Sequence, residues 1–184
     1  MNAPPLVKKA MAEAAAHGFT RSCLPETGAL LAVLAARSRR VCELGTGAGV
    51  GTAWLASGLR SDAALITVEL EPDLAASSHR LFIADSRVTV IAGDWRNALR
   101  AGPFDLIFVD VGPAKAEGRD DVVAALSQRG MAVLDDFSPE ADWRAVHGAD
   151  AVRDAWRADP RLIATEVTVR EGEGGMVLLV ARRS

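Results

Sequence analysis

From Val41 onward the chain alternates two hydrophobic rhythms. Short apolar runs of strand length lie at Val41 to Leu44, Ala64 to Glu69, Val88 to Ala92, Leu106 to Asp110, Met131 to Asp135, Ile163 to Val169 and Met176 to Ala181. These predict seven strands. The stretches between them predict helices over Gly51 to Leu59, Pro72 to Ala84, Asp120 to Gln128 and Asp142 to Asp159, with a short turn near Asn97 to Arg100. Strands that alternate with helices build a parallel sheet through right-handed crossovers. The last two strands flank Glu171-Gly172-Glu173-Gly174-Gly175, a loop too short for a helical crossover, so they are expected to pair antiparallel as a hairpin. The fold class is therefore α/β: a seven-stranded, mostly parallel sheet with an antiparallel C-terminal hairpin and helices on both faces.

Ahead of the sheet, Leu6, Val7, Ala10, Met11 and Ala14 recur at helical spacing over Leu6 to His17, and Gly18 stops the pattern. Pro25 suits the first turn of a second helix, for which Leu30, Leu31, Val33 and Leu34 are the expected core face. Residues 1–38 are thus expected to be N-terminal helices and residues 39–184 the core of one domain. A length of 184 residues suffices to bury such a core without disulfides or metals.

Composition sharpens this picture by exclusion. Hydrophobic residues at 49%, charged residues at 24% and a net charge of -3 fit a soluble globular protein and leave no electrostatic footprint for nucleic acid. The Arg37 to Arg40 cluster is too short to change that. No run reaches membrane-spanning length, and Met1 to Ala16 lacks the apolar core of a signal peptide. Cys23 and Cys42 do not form a disulfide framework, so a cytoplasmic location is expected. His17, His79 and His147 are scattered, with no zinc-spaced His/Cys cluster and no glycine-flanked nucleophilic serine. Trp143 and Trp156 fall on one expected helix, where core or homodimer packing is the expected role.

The chemistry concentrates in Arg40 to Gly51. There a short buried strand runs into Gly45, Gly47, Gly49 and Gly51 at every second position and then into a helix. Glycines let a ligand approach the backbone, and a helix N-terminus offers unpaired N–H groups to an anion. In open α/β sheets ligands bind beyond the carboxyl ends of the strands, and each end here carries a polar group. Glu43 precedes the glycines. Glu69 ends the second strand, where a carboxylate receives ribose hydroxyls, and Gly93-Asp94-Trp95 ends the third, where a carboxylate and an indole suit a planar base. A dinucleotide fingerprint needs G-x-G-x-x-G, but Val50 stands where the third glycine of Gly45-Thr46-Gly47-Ala48-Gly49 should fall. That weakens a nicotinamide reading.

Glu43-Leu-Gly-Thr-Gly-Ala-Gly49, Glu69 and Gly93-Asp94 resemble the successive motifs of class I S-adenosylmethionine-dependent methyltransferases, a Rossmann-like family. The resemblance implies a cofactor site of Glu43, Gly45, Thr46, Gly47, Gly49, Gly51, Glu69, Leu70, Asp94, Trp95 and Asp110. From Pro25-Glu-Thr-Gly-Ala-Leu-Leu31 to the final hairpin the chain is most similar to catechol-type O-methyltransferases, which act on small-molecule hydroxyls. That family holds a divalent cation, Mg2+, with carboxylates at the fourth and fifth strand ends. The matching positions are Asp110 and the pair Asp135-Asp136. A hard cation among carboxylates can chelate vicinal hydroxyls and lower the pKa of one; the bland alternative for the Asp pair is a strand-end turn that caps a helix.

The resemblance also implies a catalytic pair of Asp110 and a lysine, yet Lys115 stands two positions later than the family pattern, where an exposed side chain is the default expectation. The chain is short for the family and shows no substrate-capping insertion, which leaves the acceptor open. Three further readings stand beside O-methyl transfer. They are a metal-independent methyltransferase or aminopropyltransferase-like enzyme, a non-catalytic S-adenosylmethionine-binding protein, and, most distant, a nicotinamide oxidoreductase.

Overall fold

A computed structural model describes residues 2–170 and 176–184. Two helices, α1 (Pro5–Ala16) and α2 (Pro25–Ala35), precede β1 (Arg40–Leu44), α3 (Val50–Gly58), β2 (Ala64–Glu69), α4 (Pro72–Phe82) and β3 (Val88–Ala92). There follow α5 (Arg96–Leu99), β4 (Phe104–Val109), α6 (Gly112–Ala116), α7 (Arg119–Ala125) and β5 (Leu126–Phe137). The chain closes with α8 (Glu140–His147), α9 (Ala151–Arg157), β6 (Leu162–Arg170) and β7 (Met176–Arg183).

The strands form one sheet in the order β3-β2-β1-β4-β5-β7-β6. β1 to β5 pair in parallel, while β7 runs antiparallel to both β5 and β6. The expected hairpin pairing is therefore present, although its loop, Glu171 to Gly175, lies outside the described residues. Strand order reverses between β1 and β4, the switch point at which such sheets open a crevice beyond their carboxyl ends.

Alternation along β1 shows how the sheet is covered. Val41 faces a core with Leu31 and Ala35 of α2, Leu55 of α3 and Leu59 just beyond it, whereas Cys42 and Leu44 face the opposite core with Ala98, Val122, Val123 and Trp156. Helices thus cover both faces, and α1 lies outside on α3. Among the described residues no helix is long and apolar enough to cross a membrane.

Four elements depart from expectation. The helix expected over Asp142 to Asp159 is two helices, because Gly148 takes φ 75° and Asp150 caps α9 by accepting the Arg153 N–H at 3.0 Å. Trp143 and Trp156 consequently do not share a helix: Trp143 is exposed and stacks on His147, and Trp156 is fully buried. The buried face of α2 is Thr27, Gly28, Leu31 and Ala35, with Leu30 and Leu34 half-buried against the same core as expected, while Val33 is 66% exposed. Gly28 is required there because a Cβ would overlap the Trp54 indole of α3. Finally, β5 begins at Leu126 rather than Met131, accommodating polar Ser127-Gln128-Arg129-Gly130 through positive φ at Arg129 and a shift of register against β4.

The C-terminal layer is held by charge as well as apolar packing. Arg153 of α9 is fully buried, pairs with Asp150 at 2.6 Å and Glu166 of β6 at 2.8 Å, and donates to the Ser138 carbonyl at 2.6 Å. Removing one partner of a buried pair strands the other in low dielectric, so Arg153→Ala is expected to lower the urea-unfolding free energy by about 3–5 kcal/mol. Arg39→Ala, which removes an exposed pair with Asp62 at 3.8 Å, is expected to cost less than about 1 kcal/mol in the same assay.

Candidate functional site

The carboxyl ends of β1, β2, β4 and β5 open onto a cleft of about 300 Å³. Its floor is the turn Gly45–Gly51, where Gly45, Gly47 and Gly49 all take positive φ. Gly47 is needed for space as well as for conformation, since a Cβ would stand 2.7 Å from the Phe19 ring. The turn is pinned from two sides. The Gly47 N–H donates to Glu69 Oε2 at 2.7 Å, and the Ser78 hydroxyl of α4 donates to the Gly47 carbonyl at 3.1 Å. Glu69 Oε1 accepts the Glu71 N–H at 3.0 Å. Each Glu69 oxygen keeps a lone pair for a further donor in the cleft.

Glu43 lies under the turn, on the α3 side of β1, 1% exposed. Its Oε2 accepts the Thr67 hydroxyl at 2.7 Å and the Thr52 hydroxyl. Burial is the chief cause that pushes its carboxyl up to about 8; the two hydroxyls act the other way, and the Glu69 charge adds to the rise. A Cβ at position 51 would overlap the Glu43 carboxylate, so the fourth glycine makes room for the acid. Thr46 completes the arrangement with a 2.6 Å hydrogen bond to Thr67.

At the other end of the cleft Asp110, Asp135 and Asp136 each present a carboxylate oxygen within 4.8 Å of the others. Consecutive strand residues normally point to opposite faces. Here the register of β5 against β7 breaks between Leu134 and Phe137, and Asp136 takes φ 60°, a conformation aspartate tolerates better than most residues. The irregularity turns both carboxylates to one site. Burial first, then the Asp135 and Asp136 charges, pushes the Asp110 carboxyl up to about 9. Burial likewise raises Asp135 to about 6, opposed by the Asp136 N–H that its Oδ1 accepts at 2.9 Å.

Lys115 is not the exposed lysine that its spacing suggests. The single turn α6 rises slowly along its axis and returns the side chain to the cleft, 12% exposed. Its Nζ donates to the Asp135 carbonyl at 3.0 Å and lies 3.6 Å from the Asp136 carboxylate.

Glu43, Gly45, Thr46, Gly47, Gly51, Glu69, Leu70, Asp110 and Asp136 all line the cleft, and Gly49 caps α3 beside it. Asp94 and Trp95 are not among its lining residues. The Asp94 carboxylate accepts the Arg96 N–H at 2.9 Å, and the Trp95 ring is 7% exposed in the core, closed off by Gly118 and by the Arg96 guanidinium 4.1 Å from its centroid. Sequence pattern also passes over Phe19, Arg21, Ser22 and Cys23, which form one wall of the cleft. They lie between two helices and carry no periodic signal; the one hint was a stretch of loop immediately before a Pro-initiated helix.

Comparison with known proteins bears on what this cleft serves. A family model described as a methyltransferase domain matches residues 42–137. An O-methyltransferase, so assigned, from Mycobacterium sp. (strain JLS) is 35% identical over 174 residues, covering 86% of this chain and 78% of that protein. A second, from Mycobacterium tuberculosis H37Rv, is 39% identical over 98 residues, covering 48% of this chain and 44% of that protein. Among solved structures, the O-methyltransferase from Bacillus cereus in complex with S-adenosylhomocysteine superposes with a TM-score of 0.85 at 21% identity over 100% of this chain and 93% of that one. The O-methyltransferase TomG from Streptomyces achromogenes, in complex with S-adenosylmethionine, gives 0.81 at 22% identity over 100% and 91%.

Two outcomes follow from the Glu43 pocket. A carboxyl raised from 4.5 to about 8 holds its proton more tightly folded than unfolded. Its contribution to stability is therefore full below pH 4.5 and lost as the pH rises through about 8. Unfolding midpoints of the ligand-free protein should fall across that window, and Glu43→Gln should flatten the fall without abolishing it, since Asp110 and Asp135 shift the same way. Gly51→Ala forces a methyl onto Glu43 and is expected to cost about 1–3 kcal/mol by denaturant titration.

Proposed function

Because this chain belongs to the S-adenosylmethionine-dependent O-methyltransferase family, we propose that its cleft methylates a hydroxyl of a small-molecule acceptor, with Mg2+ held by Asp110, Asp135 and Asp136. The observation that carries the reading is that a glycine cradle and a cluster of three carboxylates open onto one cleft and share Asp110 and Asp136 as lining residues.

Bound in the cradle, S-adenosylmethionine supplies a methyl group on a positively charged sulfur. The residues suit it. Glu69 has free lone pairs for a vicinal diol, and the N-terminus of α3 carries no side-chain cap, which leaves its N–H groups to an amino-acid carboxylate. Glu43 places a carboxyl beneath the turn, where a nearby cation would draw it toward the ionised form. Glu43 to Gly51, Glu69 and Leu70 are thus the proposed cofactor residues. Asp94, whose carboxylate is half exposed at the β3 end and uses Oδ1 for the Arg96 N–H, is proposed with them, while buried Trp95 supports the turn by packing.

The donor set at the other end is all carboxylate oxygen, the chemistry that Mg2+ or Mn2+ selects over softer ligands. A divalent cation there supplies positive charge that lowers the pKa of a coordinated hydroxyl. Asp110 belongs to both halves of the cleft and orients the acceptor relative to the methyl donor. Lys115 is the basic group nearest the carboxylates; as the neutral amine, in the metal-loaded enzyme, it is the proposed proton acceptor.

Incubation with methyl-labelled S-adenosylmethionine and a panel of vicinal aromatic diols tests the reading. Label should reach a diol, drop at least tenfold on chelation, and return with added Mg2+. Transfer that survives chelation contradicts the metal assignment, and failure to label any acceptor while S-adenosylhomocysteine still binds contradicts the enzymatic one. Glu69→Ala should weaken S-adenosylhomocysteine binding by about 10- to 100-fold in calorimetry, the loss of charge-assisted hydrogen bonds to a diol.

A further inference from the structure

Lys115 is held at both ends. Its carbonyl accepts the indole N–H of fully buried Trp156 at 2.9 Å, and its own N–H bonds to the Val111 carbonyl at 3.2 Å, closing the turn of α6. Its ammonium, 12% exposed, donates to the Asp135 carbonyl at 3.0 Å and stands 3.6 Å from the Asp136 carboxylate. Of the groups that face it, Asp110, Asp135 and Asp136 are all acidic. Such a lysine is no free surface side chain; it occupies the place beside the carboxylates where a positive charge is needed. Carboxylates crowded within 4.8 Å repel one another unless bound protons or a cation offset them, and in this chain a cation is built in beside the protons that burial favours.

We propose that the Lys115 ammonium is a resident cation of the carboxylate cluster, and that a divalent metal binds there only by displacing it from Asp136. The proposal rests on the assignment of Asp110, Asp135 and Asp136 as the metal site. Two consequences follow from charge alone. The ligand-free cluster is stable without metal, because the lysine already provides the counter-charge. Divalent affinity is held down by Lys115, because Asp136 must exchange one partner for another and the displaced ammonium remains close enough to repel the incoming ion. A lysine two positions earlier in the chain would leave α6 at a different point of its turn. The late spacing, together with the Trp156 anchor, is what aims this ammonium at Asp136.

Mn2+ binding to the full chain, read by electron paramagnetic resonance of the free ion, tests this without any acceptor. Wild type is compared with K115M, which keeps the length of the side chain but not its charge, with K115Q, which keeps a donor for the Asp135 carbonyl, and with K115R. S-adenosylhomocysteine affinity serves as the check that each variant is folded. K115M and K115Q should bind Mn2+ at least tenfold more tightly than wild type, and K115R should stay within about threefold of it. The unfolding midpoint of the neutral variants should rise further with Mn2+ than that of wild type. Equal or weaker Mn2+ binding in both neutral variants overturns the role of Lys115 while leaving the metal site standing. Binding by none of the four proteins overturns the metal site and the proposal together. If K115M does not fold, K115Q alone decides.

Discussion

The constraint on which the rest of the structure depends is the burial of the Glu43 carboxyl at the end of β1. An acid there requires hydroxyl partners, and Thr52 and Thr67 supply them from the next helix and the next strand. It requires space, and Gly51 leaves it. It also fixes the path of the glycine turn above it, which Glu69 then ties back to β2 through the Gly47 N–H. Five residues are thus arranged around and above one carboxyl, and their shared product is a cleft whose floor is backbone and whose strand-end side carries carboxylates. The raised proton affinity of Glu43 is the energetic mark of that arrangement, since a group held for stability alone would be better hydrated or better paired.

The second half of the site obeys the same logic with a different device. A regular strand would send Asp135 and Asp136 to opposite faces of the sheet. The break in register between Leu134 and Phe137 and the positive φ at Asp136 cancel that alternation. Backbone strain of this kind persists where the surrounding structure enforces it, and it is common beside functional sites. Here β7 pairs with Leu134 and Phe137 on either side of the two residues, and Lys115 contacts both of them. The antiparallel end of the sheet is therefore part of the site: it shapes the carboxylate cluster.

Much of this was legible in the sequence. The boundaries of β2 and β3 coincide with their apolar runs: β2 is paired on both sides with a largely buried run, and β3, at the sheet edge, keeps β-branched Val88, Thr89, Val90 and Ile91. The acidic strand ends and the glycine spacing marked most of the cleft. What escaped had no periodic signature. Val33 reads as core beside Leu30, Leu31 and Leu34, yet the close fit of Trp54 against Gly28 rotates α2 and leaves it outside. Leu126 to Gln128 read as the end of the helix expected over Asp120 to Gln128, yet α7 stops at Ala125 and a polar strand sustained by a bulge begins there. The break at Gly148 was written in the sequence as a glycine followed by a capping aspartate, and helical apolar spacing obscured it. The late spacing of Lys115 suggested an exposed side chain because counting residues along an extended loop overstates the distance that one helical turn covers. The indole of Trp95, which a planar-base argument favoured, is packed by Gly118 and Arg96 instead.

The central claim is that the cleft over Gly45 to Gly51 is the seat of the methyl donor. A crystal structure grown with S-adenosylhomocysteine tests it most directly. The account predicts density along the glycine turn, with a diol oxygen in hydrogen-bond reach of Glu69 and the amino-acid end toward the N-terminus of α3. Density at any other place, or a cleft that stays empty at saturating ligand, would contradict it.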